Sequence, residues 1–146
     1  MKIILRILMA ILGICCILLL LYAIGFGRHR LDYQQVEKIE LTAWDQDGTT
    51  TVTLNEKDLR KFITRFNLSK TVGTVAAERC ECTFIICIYR NDGQRIYIMD
   101  HDEERMKVTG LTDQSIWISN SLLLTTIENL VQDYGLQWQS WDTDAV

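Results

Sequence analysis

A chain of 146 residues with a net charge of −4 and five cysteines has room for one modest core and not two. Its acidic balance argues against a nucleic-acid partner, because phosphate binding rests on an excess of lysine and arginine. Lys2 and Arg6 carry the only charges before residue 28, so residues 28–146 bear −6; no Lys or Arg follows Lys107, while Asp113, Glu128, Asp133, Asp142 and Asp144 do.

Residues 7–27, ILMAILGICCILLLLYAIGFG, are 21 positions without a charged side chain. A helix of that length covers roughly 30 Å, the hydrocarbon thickness of a bilayer, which predicts one transmembrane anchor over residues 1–27 with the bilayer as its partner. Lys2 and Arg6 also suit the positive start of a signal peptide, but the apolar run exceeds the roughly 7–15 residues of such a segment. Ile14 before Cys15 rules out a lipobox, and Cys15 and Cys16 read as small apolar fillers. Lys2 and Arg6 on one side nearly balance Arg28 and Arg30 on the other. A very short leading tail usually sends the bulk of the chain across, so a single-pass cell-membrane protein with an extracytoplasmic domain is expected.

Residues 28–35 form a polar juxtamembrane collar, and the domain occupies residues 36–146. From Val36 the pattern alternates, with Ile39, Leu41 and Ala43 on one face and Glu40, Thr42 and Trp44 on the other, predicting a half-buried strand. Asp45-Gln46-Asp47-Gly48 supplies a turn, and Thr49 to Leu54 returns as the second arm of a hairpin. A calcium-loop reading of that turn fails, because alignment on Gly48 puts Ala43 and Leu54 where acidic ligands belong. Asn55 opens a helix as N-cap with Asp58 three residues on, and Leu59, Phe62, Ile63 and Phe66 make its apolar stripe. Lys57, Arg60, Lys61 and Arg65 form its solvated side.

Residues 80–90 and 94–100 make the clearest hairpin, and its register can be argued. A two-residue Asp92-Gly93 turn would set Arg90 opposite Arg95, two like charges. A three-residue loop with Gly93 in the left-handed conformation instead pairs Ile88 with Ile96 and Ile86 with Ile98, and that register is expected. Phe84, Ile86, Ile88, Ile96 and Ile98 then face the core, while Ile85, Cys87, Tyr89, Arg95, Tyr97 and Met99 face away. On a strand Cys80 and Cys82 would lie about 6.6 Å apart, too far for a relaxed disulfide, so Cys80, Cys82 and Cys87 read as free thiols. Residues 100–104 form a charged turn, read as a solvated hairpin tip and not as a metal site around His101. Strands follow near Arg105 to Val108 and Ser115 to Ser119. A last helix starts from a cap at Asn120 or Ser121, presents Leu123, Ile127, Leu130 and Tyr134, and ends at Gly135. Trp138 and Trp141 give the tail a reason to fold back on the body.

The order ββαββββα predicts an α+β domain: an antiparallel sheet of about six strands with two helices packed on one face, behind one transmembrane helix. This layout resembles small bacterial proteins that join one amino-terminal membrane segment to a compact envelope-side domain, a group that brings no assigned activity. An enzyme is not expected, since His101 is the domain's one histidine beyond the collar and there is no nucleophile elbow, glycine-rich phosphate loop or zinc signature. No cofactor and no metal are expected. The sheet face turned away from the helices collects Trp44, Tyr89, Arg95, Tyr97 and Trp117, amphipathic side chains suited to an envelope protein or a glycan. This predicts a non-catalytic interaction module. The competing readings are a face covered by the tail tryptophans, and an immunity or inhibitor protein acting on a secreted toxin or hydrolase.

Overall fold

The computed structural model describes residues 2–26, 30–45, 48–75, 82–100 and 105–136. The chain divides into two compact units, Met1–Arg30 and Leu31–Val146. The first is the helix α1, Lys2–Phe26. The second runs through a 3-10 turn, Tyr33–Gln35, into β1 (Val36–Asp45), β2 (Gly48–Thr53), α2 (Glu56–Phe66), β3 (Lys70–Thr74), β4 (Phe84–Arg90), β5 (Arg95–Asp100), β6 (Arg105–Thr109), β7 (Ile116–Ser119) and α3 (Ser121–Asp133).

The anchor over residues 1–27 is overturned, and with it the transmembrane, single-pass and extracytoplasmic expectations. Among the described residues no helix is long and apolar enough to cross a membrane. Over residues 6–20 of α1 the stretch opens on the charged Arg6 and does not meet the length and apolarity of a span.

Seven strands form one antiparallel sheet in the order β2-β1-β4-β5-β6-β7-β3. The expectation of about six strands fell one short at β3, which pairs with β7 at the far edge. Gly73 breaks the β-branched run Thr71, Val72, Thr74, and the ladder slips between Thr71 and Gly73, so local alternation is lost there. Strand β4 also starts later than expected, at Phe84, which leaves Cys82 outside it. Residues 80 and 81, the charged turn at 101–104 and the tail from residue 137 lie outside the described residues.

The hairpin β4–β5 takes the three-residue loop: Ile88 pairs with Ile96 and Ile86 with Ile98, and Gly93 sits at φ 83°. Phe84, Ile86, Ile88, Ile96 and Ile98 are all buried. With Ile39, Leu41, Met106, Val108 and Ile118 they form one cluster with Leu59, Phe62, Ile63 and Phe66 of α2 and Leu123, Ile127, Leu130 and Val131 of α3. Both helices therefore cover the same sheet face, as α+β layering requires.

Helix ends are fixed by asparagines. Asn55 Oδ1 accepts from the Asp58 amide at 3.0 Å, and Asn120 Oδ1 from the Leu123 amide at 3.1 Å. Asn120 also donates through Nδ2 to the Arg65 carbonyl at 2.7 Å and to Ser69 Oγ at 3.2 Å, so one side chain starts α3 and clasps the end of α2. At the opposite helix ends the Tyr134 hydroxyl accepts from the Asn55 amide at 3.0 Å and donates to Asp58 Oδ2 at 3.1 Å. Asn67 exchanges two bonds with the Leu31 backbone, 2.8 and 2.9 Å, which ties the start of the second unit to the C-cap of α2.

Candidate functional site

Alternation puts the odd-numbered side chains of β4, β5, β6 and β7, and the even-numbered ones of β1, on the face away from the helices. Two of its cross-strand rows follow from the register. One runs Thr51–Thr42–Ile85–Met99–Lys107–Trp117–Gly73, the other Thr53–Glu40–Cys87–Tyr97–Thr109. Beside the second, Tyr89 stands between Lys38 on β1 and Arg95 on β5.

Tyr89 is the fixed point of this face. Lys38 Nζ lies 4.4 Å from its ring centroid and the Arg95 guanidinium 5.1 Å, so the π-system attracts a cation from each neighbouring strand. Its hydroxyl donates to Glu40 Oε2 at 2.7 Å, and Lys38 Nζ closes the circuit on Glu40 Oε1 at 2.7 Å. These bonds set the protonation states. The bond to the Glu40 carboxylate, reinforced by Cys87, pushes the Tyr89 pKa up, so the phenol stays a donor. Lys38 first and Tyr89 second hold the Glu40 carboxyl below its ordinary value. Interaction with Tyr97 raises the Arg95 pKa further, so its guanidinium stays charged.

A pH consequence follows with a definite sign. Because the folded-state pKa of Glu40 is depressed, its stabilising contribution is complete above the unfolded value near 4.5 and is lost as pH falls through the lower folded value. The difference in unfolding free energy between wild type and Glu40→Gln is expected to stay constant above pH 4.5 and to shrink below it. For a partly exposed pair the plateau should be about 1 kcal/mol or less. Urea titrations at a series of pH values check this, and a difference that grows on acidification would contradict it.

Of the five side chains expected on a binding face, Tyr89, Arg95 and Tyr97 are brought together. Trp44 stands apart, paired with Thr49 toward the β2 edge, and Trp117 lies three strands from Tyr89's own strand. Trp117 is only 9% exposed, with the Arg105 guanidinium 5.6 Å from its ring, so it serves as floor more than as contact; Tyr97, at 36%, is the most exposed of the face's aromatics. Lys38 and Glu40 complete the cluster. Their alternation with Ile39 and Leu41 was readable, but their attachment to Tyr89 depends on a β1–β4 register that no local pattern specifies.

The charge of this face is opposite to that of the chain. At its paired positions Lys38, Arg95, Arg105 and Lys107 stand against a single carboxylate among the described residues, Glu40. The basic side of α2 is less available than its sequence suggests, because Arg60 is bound to Glu56 at 2.7 Å and its guanidinium lies 4.2 Å from the Tyr33 ring. Among the described residues no group of three or more His, Cys, Asp or Glu side chains could hold a metal ion. No protein-family model matches the chain, and no curated protein or solved structure matches it either.

Proposed function

We propose that this chain is a non-catalytic interaction module that binds an acidic protein partner on the outer face of its sheet. The observation that carries this is the held cluster Lys38–Tyr89–Arg95 with Tyr97 beside it, a basic and aromatic patch on a domain of −6. Fixed cations above an amphipathic ring give contact area at little entropic cost, and a net positive face draws carboxylates toward it. The non-catalytic reading is supported by Glu40, the cluster's one carboxylate, which is already engaged by Lys38 and Tyr89.

The test uses a fluorescein-labelled peptide of about ten glutamates and reads anisotropy at low and high salt, since attraction between exposed charges weakens within a Debye length of about 8–10 Å. Binding is expected to weaken with salt and to fall about tenfold in Arg95→Glu, about 1.4 kcal/mol. Lys61→Glu, on the outer side of α2, should leave it unchanged. Tyr97→Ser should stay folded and bind less. Equal binding by Arg95→Glu and wild type would overturn the proposal, as would a Tyr97→Ser chain that loses its fold.

A further inference from the structure

The sheet ends in β2 on one side and β3 on the other, and the two edges are protected very differently. An unpaired edge is a template for another strand, and natural edges are blunted by lysine, proline, bulges or shortness. Strand β3 has five residues, begins with Lys70 and is broken in register between Thr71 and Gly73. Strand β2, Gly-Thr-Thr-Thr-Val-Thr, has none of these devices. Its six positions pair with β1 in unbroken register from Glu40–Thr53 to Asp45–Gly48, and it carries neither charge nor proline. All of its residues but Val52 are exposed.

The direction of its backbone groups can be fixed. The Leu54 amide donates to the Ile39 carbonyl at 2.9 Å, so in an antiparallel ladder residues 52, 50 and 48 also turn toward β1. Thr49, Thr51 and Thr53 therefore direct their amides and carbonyls off the open edge. Among the described residues no backbone hydrogen bond meets them there.

We infer that a second copy of this chain pairs on this edge, β2 against β2, antiparallel about a two-fold axis at Thr51. Among the antiparallel registers that match the outward backbone groups and keep each sheet face continuous, the one that opposes Thr49 with the partner's Thr53, and Thr51 with the partner's Thr51, pairs all three outward residues. It closes about six main-chain hydrogen bonds. The outer row is then threonine against threonine throughout, a favourable cross-strand pair, and no charge faces a like charge. Thr51 meets its own copy and the Thr49–Thr53 pair is made twice, which is the reciprocity of an isologous interface. The two outer faces join into one surface, independently of whether that surface binds an acidic partner.

Two experiments on the full chain test this. In Thr51→Cys the two new thiols would sit on α-carbons about 5.5 Å apart, inside the disulfide window, whereas in Thr50→Cys they lie on a diagonal of about 7–8 Å. Mild oxidation followed by peptide mapping is expected to find the symmetric cross-link in Thr51→Cys and none in Thr50→Cys. Hydrogen exchange at Thr49, Thr51 and Thr53 should slow as protein concentration rises. Thr51→Lys, which opposes two ammonium groups, should abolish that dependence while circular dichroism stays unchanged. Absence of the symmetric link in Thr51→Cys, exchange independent of concentration, or capture of the Thr51→Cys chain by an unrelated polypeptide would each overturn the inference. If Thr51→Lys fails to fold, the comparison of Thr51→Cys with Thr50→Cys still decides it.

Discussion

Gly110→Ala is expected to destabilise the second unit by about 2–5 kcal/mol, more than any other single substitution proposed for this chain. Gly110 holds φ +87°, where a side chain costs about 1–2 kcal/mol by crowding the following carbonyl. The larger part comes from the neighbour. A β-carbon there would lie 2.2 Å from the backbone oxygen of Arg95, and backbone cannot rotate away as a side-chain tip can, so the start of β5 must shift. Gly93→Ala is the control. It has φ +83° but nothing within 4 Å of the added carbon, so it should cost only the conformational part, about 1–2 kcal/mol. Urea unfolding of the two variants separates backbone strain from steric overlap, and equal losses would show that the overlap is relieved at no cost. Because β5 carries Arg95 and Tyr97, the Gly110 variant should also weaken peptide binding even where it remains folded.

Asn120→Ala is expected to cost about 2 kcal/mol, twice what an ordinary cap is worth. Its oxygen caps α3 at Leu123, worth about 1 kcal/mol. Its amide nitrogen holds the Arg65 carbonyl and Ser69, a second contribution of about 1 kcal/mol. Asn120→Asp separates the two, since a carboxylate still caps α3 but has no donor for Arg65 and repels its carbonyl. The aspartate variant should therefore remain well below wild type in thermal stability. If it matched wild type, the bridge to α2 would be worth nothing.

What could be read in advance divides by the range of the force involved. The β4–β5 register was legible because both competing turns lie within ten residues, and Arg90 opposite Arg95 disqualifies one of them. The start of α2 was legible because Asn55 meets Asp58 one turn away. The bridge from Asn120 to Arg65 spans 55 positions and leaves no local trace. The demand on Gly110 arises only when β6 and β5 lie side by side. Strand β3 was hidden by its own bulge. Residues 7–27 misled in another way: their uncharged composition carried the reading of a membrane span, whereas the helix α1 also takes in Arg6. For the outer sheet face, alternation identified Tyr89, Arg95 and Tyr97 as neighbours but also enrolled Trp44 and Trp117, because period-two reasoning gives the side of a sheet and not the position across it.

The placement of β3 bears on how the chain is made. It leaves the ribosome soon after α2, yet the strand it joins, β7, ends at Ser119, and the hairpins between them are complete first. Until β7 has been made its amides have no native strand partner, and its place is the sheet edge opposite β2. Lys70 and the irregular backbone at Gly73 then acquire a second meaning: they guard a segment that must wait, keeping it from pairing with the wrong neighbour before the right one exists.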